Sequence, residues 1–168
     1  MFAIGEKIIY GAEGVFVVSE YASSPVDKSD TRSFYILKPA YGPEGNVIYT
    51  PVDNDRVMMR PVMTREEALA FIERIPTVET VAVEKEKYRR ERYREVMKNA
   101  GGDEYVSIIK TVYLRRVEFL KQKKRLPESD TEYERKAKFC LYGELSSALD
   151  LPLAEVEQFI TERIRAVD

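Results

Sequence analysis

Up to about Met59 the chain runs in short apolar stretches separated by turn residues, a pattern that predicts strands. Lys7–Tyr10 and Gly14–Val18 flank Gly11-Ala12-Glu13-Gly14, whose glycines supply the positive φ of a tight connection. Ser33–Leu37, Asn46–Thr50 and Arg56–Met59 continue the series, with polar, proline- and glycine-containing loops between them. Pro51 confines the fourth strand to an end or an edge of its sheet. Five short strands in about sixty residues predict a small, bent SH3-like or Tudor-like barrel.

From Thr64 the period changes to that of helices. Thr64-Arg65-Glu66-Glu67 has the spacing of a capping box, followed by Ala68, Phe71, Ile72 and Ile75 at helical intervals until Pro76. Residues 77–83 read as a linker. A second helix is expected from about Glu84 to Asn99, ended by Gly101-Gly102, and a third from Asp103 as N-cap to about Lys123. On the third, Val106, Ile109, Val112, Tyr113, Val117 and Leu120 are expected to face the core. Ser129-Asp130-Thr131-Glu132 is a second capping box, opening a helix with Tyr133, Ala137, Cys140, Leu141, Leu145 and Ala148 inward. Pro152 opens a last helix carrying Val156, Phe159, Ile160 and Ile164. Strands followed by about five helices give the α+β class, with an expected division into residues 1–62 and an all-helical 63–168.

Composition narrows the chemistry. Among 168 residues there is no His, no Trp and one Cys. The commonest general base, the Ser-His-Asp and Cys-His nucleophiles and the usual zinc, copper and non-haem iron ligand sets are therefore missing. Paired acids such as Asp53 and Asp55, or Glu66 and Glu67, fall where loops and helix starts account for them. No phosphate-loop pattern occurs among the glycines. The expectation is a non-enzymatic protein without metal, cofactor or small-molecule substrate. No apolar run approaches the ~18 to 20 residues of a membrane span, and Met1–Tyr10 lacks the form of a secretory signal, so a cytoplasmic protein without a membrane partner is expected. Cys140, on an apolar helix face, reads as buried and inert.

The net charge of −2 hides an uneven distribution. Residues 85–125 hold 14 Lys and Arg against 6 Asp and Glu. Lys87, Arg90, Arg94 and Lys98 share one face of the second helix, with Arg89 and Arg92 to its sides. Such a stripe suits a DNA backbone, whose released counterions drive binding. It equally suits a solvated face on which Glu86, Glu91 and Glu95 pair with the bases. Lys121-Gln122-Lys123-Lys124-Arg125 closes the third helix, where cations favour the macrodipole, and Arg135, Lys136 and Lys138 form a weaker patch on the fourth. Tyr93 reads as a core tyrosine. Tyr88, at the helix start, reads either as core or as an aromatic that wedges at a base step.

In order and spacing these pieces resemble the CarD-like (CarD/CdnL) bacterial transcription regulators, whose first domain is shared with transcription-repair coupling factor. Residues 4–15, Ile-Gly-Glu-Lys-Ile-Ile-Tyr-Gly-Ala-Glu-Gly-Val, are similar to the family's V-G-D-x-V-V-Y-P-x-H-G-V. Phe34-Tyr35-Ile36-Leu37 and Ile48–Asn54 resemble its Y-Y-x-L and V-x-V-P-x-x-N strands, Arg92-Tyr93-Arg94 its R-Y-K, and Tyr142-Gly143-Glu144-Leu145 its late G-E-L. The resemblance implies a Tudor-like domain gripping the lobe of the RNA polymerase β subunit, and a helical domain touching promoter DNA at the upstream edge of the bubble to stabilise the open complex. On this chain it places the polymerase contact at Val47, Ile48, Tyr49, Thr50 and Pro51. It places the DNA contact on the basic helix and near Lys136, which, with the bases read above, gives Lys87, Tyr88, Arg89, Arg90, Arg92, Arg94 and Lys136. The family's wedge tryptophan is absent; Arg89 stands there, beside Tyr88. An alternative reading is an adaptor whose barrel binds polymerase or another protein and whose helices touch no DNA.

Overall fold

The computed structural model describes residues 1–167. Five strands, β1 (Lys7–Tyr10), β2 (Val15–Ala22), β3 (Phe34–Pro39), β4 (Ile48–Pro51) and β5 (Met59–Pro61), form one antiparallel sheet in the order β4-β3-β2-β1-β5. Alternation along them gathers Ile8, Phe16, Val18, Tyr35 and Leu37 into one core. A one-turn 3₁₀ segment, Gly11–Glu13, joins β1 to β2, with φ of +49° at Gly11 and +101° at Gly14. A bulge between Val18 and Glu20 bends the sheet.

Two strand boundaries differ from expectation. β2 runs on to Ala22 because Glu20, Tyr21 and Ala22 find partners in Ile36, Tyr35 and Phe34. The fifth strand begins at Met59, three residues late, because Asn54 first builds a turn: its amide donates to the Thr50 hydroxyl at 2.7 Å, and its carbonyl accepts from Arg56 N at 2.8 Å. β5 then pairs with β1, leaving β4 and β5 as the two edges.

Five helices follow: α1 (Arg65–Arg74), α2 (Arg89–Lys98), α3 (Gly102–Lys121), α4 (Glu128–Leu149) and α5 (Val156–Val167). Their shared core contains Phe71, Ile72, Tyr93, Met97, Tyr105, Ile108, Val112, Leu141 and Leu145. The Thr64 hydroxyl accepts from Glu67 N, as its capping position predicts. The other caps fall elsewhere. α2 is preceded by a 3₁₀ turn, Glu86–Tyr88, and the residue that turns left-handed after it is Ala100 (φ +51°), not a glycine. The Ala100 side chain is fully buried with Ile9 and Val15, and its carbonyl accepts from Arg60, so packing and a charged donor hold a conformation alanine otherwise avoids. Gly101, not Asp103, is the N-cap of α3. α4 starts at Glu128 behind Pro127, so Ser129–Glu132 caps nothing and Asp130 turns inward.

The apolar stripe expected on α3 is corrected in its second half. Val106 and Val112 are buried and Ile109 packs against the core, but Tyr113, Val117 and Leu120 are exposed. Beyond Val112 the inward line runs through Arg115 and Phe119 instead. Arg115 is drawn in by Asp130, which it meets through Nε and Nη2 at 3.0 Å each, and its guanidinium lies 5.0 Å over the Phe119 ring.

Sheet and helices share an interface. Tyr41 places its hydroxyl 3.1 Å from Ser146 Oγ and 2.9 Å from Ser147 Oγ. Gly143 permits this approach of α4: a Cβ there would stand 3.3 Å from the Tyr41 ring and 3.6 Å from Val15.

Candidate functional site

The first candidate surface is the outer edge of the sheet. β4 pairs with β3 alone, in the register Phe34 with Pro51, Tyr35 with Thr50, Ile36 with Tyr49 and Leu37 with Ile48. Its other side presents unpaired backbone groups, a template for an added strand. Tyr49 is 49% exposed and Val47, just before the strand, 38%; Thr50 is buried, and Ile48 and Pro51 are half-buried. The edge is therefore apolar at its accessible side chains. An open cleft beside it is lined by Tyr10, Tyr49, Asp53, Asp55 and Arg56 among others.

The second candidate is the basic helical face. Every arginine expected to contact DNA here already has a carboxylate. Arg89 meets Glu86 at 3.0 Å, donates to Tyr93 Oη at 3.1 Å and is largely buried. Arg90 pairs with Glu132, Arg92 with Glu95 at 3.3 Å, and Arg94 with Glu91 at 2.9 Å. Lys136 approaches the same Glu132 at 3.1 Å, so α2 and α4 are neighbours and Arg90 and Lys136 do stand together, around one acid. Their hydrogen bonds, Arg90 foremost, hold the Glu132 carboxyl below its ordinary range. Lys87 Nζ lies 5.0 Å over the Tyr88 ring; Lys87, Lys98 and Arg135 make no ion pair among the described residues. Tyr88 is 51% exposed, but the hollow it borders is lined by Glu84, Glu91 and Glu95 with Arg92. That surroundings repels a phosphate backbone more than it attracts one.

Two buried polar assemblies escaped the sequence. Asp130, fully buried on α4, accepts from Tyr93 Oη at 2.7 Å and from Arg115, which also reaches Glu86 at 2.6 Å. Burial, and the bond to Asp130, push the Tyr93 phenol up to about 12. Glu144, also fully buried, receives both Arg60 terminal nitrogens and Met63 N. The only signals in the sequence were acids at inward helical positions. Cys140 is buried as expected, and burial pushes its thiol up to about 12, so it stays protonated and unreactive.

Residues 2–63, the whole of the sheet, match the family of the CarD-like/TRCF RID domain. These residues, just over a third of the chain, are a CarD-like domain of the kind shared with transcription-repair coupling factor. The match supports an RNA polymerase-interacting, transcription-related role for residues 2–63. No curated protein is similar enough to the chain to count as a match. Among the described residues, no helix is long and apolar enough to cross a membrane.

Proposed function

We propose that the CarD-like part, residues 1–62, binds the lobe of the RNA polymerase β subunit along β4, and that the helical part, residues 63–168, meets promoter DNA near the upstream edge of the bubble and stabilises the open complex. The observation carrying this reading is the free outer edge of β4 inside the matched domain, with Val47 and Tyr49 exposed on it. Strand addition draws affinity from main-chain bonds and tolerates side-chain change. The DNA step acts by differential binding: a face that meets the distorted fork better than closed duplex by ~1.4 kcal/mol raises the open-to-closed ratio about tenfold. Because the arginines are already paired, phosphates must displace Glu91, Glu95 and Glu132 from them.

That pairing favours a second reading, in which the chain is a polymerase-bound adaptor and its helices touch no DNA. One experiment separates the two. The fraction of open promoter, read by a fluorophore in the bubble, is measured with polymerase and with or without the protein. A rise supports open-complex stabilisation. No change, with binding to the β lobe intact, supports the adaptor; loss of β-lobe binding as well overturns both.

A further inference from the structure

We propose that the C-terminal half of α3 and the turn after it form a docking groove for an acidic, amphipathic helix of a partner protein. Tyr113, Val117 and Leu120 follow one another at intervals of four and three residues and so form a single line on the helix. They are 61%, 38% and 75% exposed, and Leu114, beside the line, is 56% exposed. Three large apolar side chains in one line, with Leu114 beside them, on a 20-residue helix mark an interaction surface rather than scattered exposure.

The stripe runs into an open groove at the helix end lined by Phe119, Leu120 and Leu126 together with Arg116, Lys124 and Arg125. The groove is rigidly built. Lys123 adopts φ +56°, its N–H reaches Leu120 O at 3.1 Å, and Lys124 N reaches Phe119 O at 2.9 Å, the paired bonds that close a helix in the Schellman manner. Lys121, Lys123, Lys124 and Arg125 lie within five residues, and none makes an ion pair among the described residues. The arginines of α2 all do. Within the groove Arg116 is held by Glu134 at 2.7 Å, and Glu128 is the one carboxylate in the lining. Four closely spaced cations, unpaired among the described residues, thus stand where the uncovered apolar stripe ends.

This combination selects the occupant. An amphipathic helix covers the stripe with its apolar face and meets the lysines with its acids. Duplex DNA satisfies the cations but leaves Tyr113, Val117 and Leu120 wet. The inference is independent of the β4 edge and of the DNA reading.

The test uses the full chain and three fluorescent probes: a helical peptide with Leu along one face and Glu on the other, a scrambled peptide of the same composition, and a 20-base-pair duplex. The amphipathic peptide is expected to bind saturably and to shift amide NMR signals at 113–126. Its affinity is expected to fall at least tenfold in Leu120→Glu and in Val117→Ser with Leu120→Ser, and also in Lys123→Glu with Lys124→Glu. These positions are exposed, and unchanged circular dichroism verifies folding. Absence of saturable binding, equal binding of the scrambled peptide, or indifference to the two apolar variants overturns the proposal. So does a duplex that displaces the peptide and responds only to the lysine variant, or a dimer that Leu120→Glu converts to monomer.

Discussion

Arg60 and Glu144, eighty-four positions apart, form a two-pronged ion pair, Nη1 to Oε2 at 2.6 Å and Nη2 to Oε1 at 2.7 Å. Arg60 also donates to the Ala100 carbonyl at 2.6 Å, and Glu144 accepts from Met63 N at 3.0 Å. One pair thus ties β5, the start of the helical part, the α2–α3 turn and α4.

Removing one partner from such a pair strands a charge. Glu144→Ala is expected to destabilise the protein by about 3 to 5 kcal/mol, read as a lower urea midpoint. Arg60→Met with Glu144→Leu is expected to recover most of the loss, since no unpaired charge is left. A Glu144→Ala protein as stable as the parent contradicts this account.

Two adjacent glycines are expected to respond differently to alanine. A Cβ on Gly102 would stand 2.6 and 2.8 Å from Phe71 ring carbons and 3.1 Å from Met63 Cε, so the α1–α3 packing must open, at a cost of about 1 to 3 kcal/mol. A Cβ on Gly101 meets the end of the flexible Glu104 side chain, which can swing away. Gly101→Ala is expected to stay within about 1 kcal/mol of the parent in thermal unfolding.

Alkaline pH should loosen the fold before it deprotonates every tyrosine. Burial raises the Tyr93 and Tyr142 phenols to about 12 from 10.0 and the Cys140 thiol to about 12 from 9.0. Between those values the unfolded chain has lost protons that the folded one retains, so stability falls as pH rises. The contribution is whole below about pH 9 and gone by about pH 12. Thermal midpoints measured from pH 8 to 11 are expected to decline, and Tyr142→Phe to flatten the decline above pH 10; an unaltered slope in that variant contradicts the assignment.

The paired arginines give a sharper test of DNA contact than their removal alone. Arg90→Ala with Arg94→Ala is expected to weaken promoter DNA binding and leave β-lobe binding intact, with the thermal midpoint close to that of the parent, since both arginines are exposed. Glu91→Gln with Glu132→Gln frees Arg94 and Arg90, and is expected to strengthen DNA binding and steepen its salt dependence. If neither pair of substitutions alters DNA affinity, the adaptor reading stands.

What the sequence disclosed divides along physical lines. Local periodicity and turn chemistry located all five strands and five helices, and the motif from Ile4 to Val15 led to the family of the sheet. Tertiary partners governed the rest. Asp130 looked like a cap residue because a capping box and a buried helical acid share one local pattern; Arg115 and Tyr93, outside its segment, decide between them. The α3 stripe failed after Val112 for the same reason, since an arginine belongs in a core line only when a buried carboxylate waits there. The α2 arginines were legible as a charged face, but which acids neutralise them depends partly on Glu132 of a different helix.

α4 runs from the basic helical face to the sheet. Near its N-terminus it carries Glu132, the acid shared by Arg90 and Lys136; toward its C-terminus Gly143, Glu144 and Ser146 clasp the sheet. A 22-residue helix is a rod of ~33 Å. The helix therefore acts as a gauge: it sets the distance and bearing of the basic face from the sheet, and inserting one turn between Lys136 and Gly143 would shift the two relative to each other by ~5 Å.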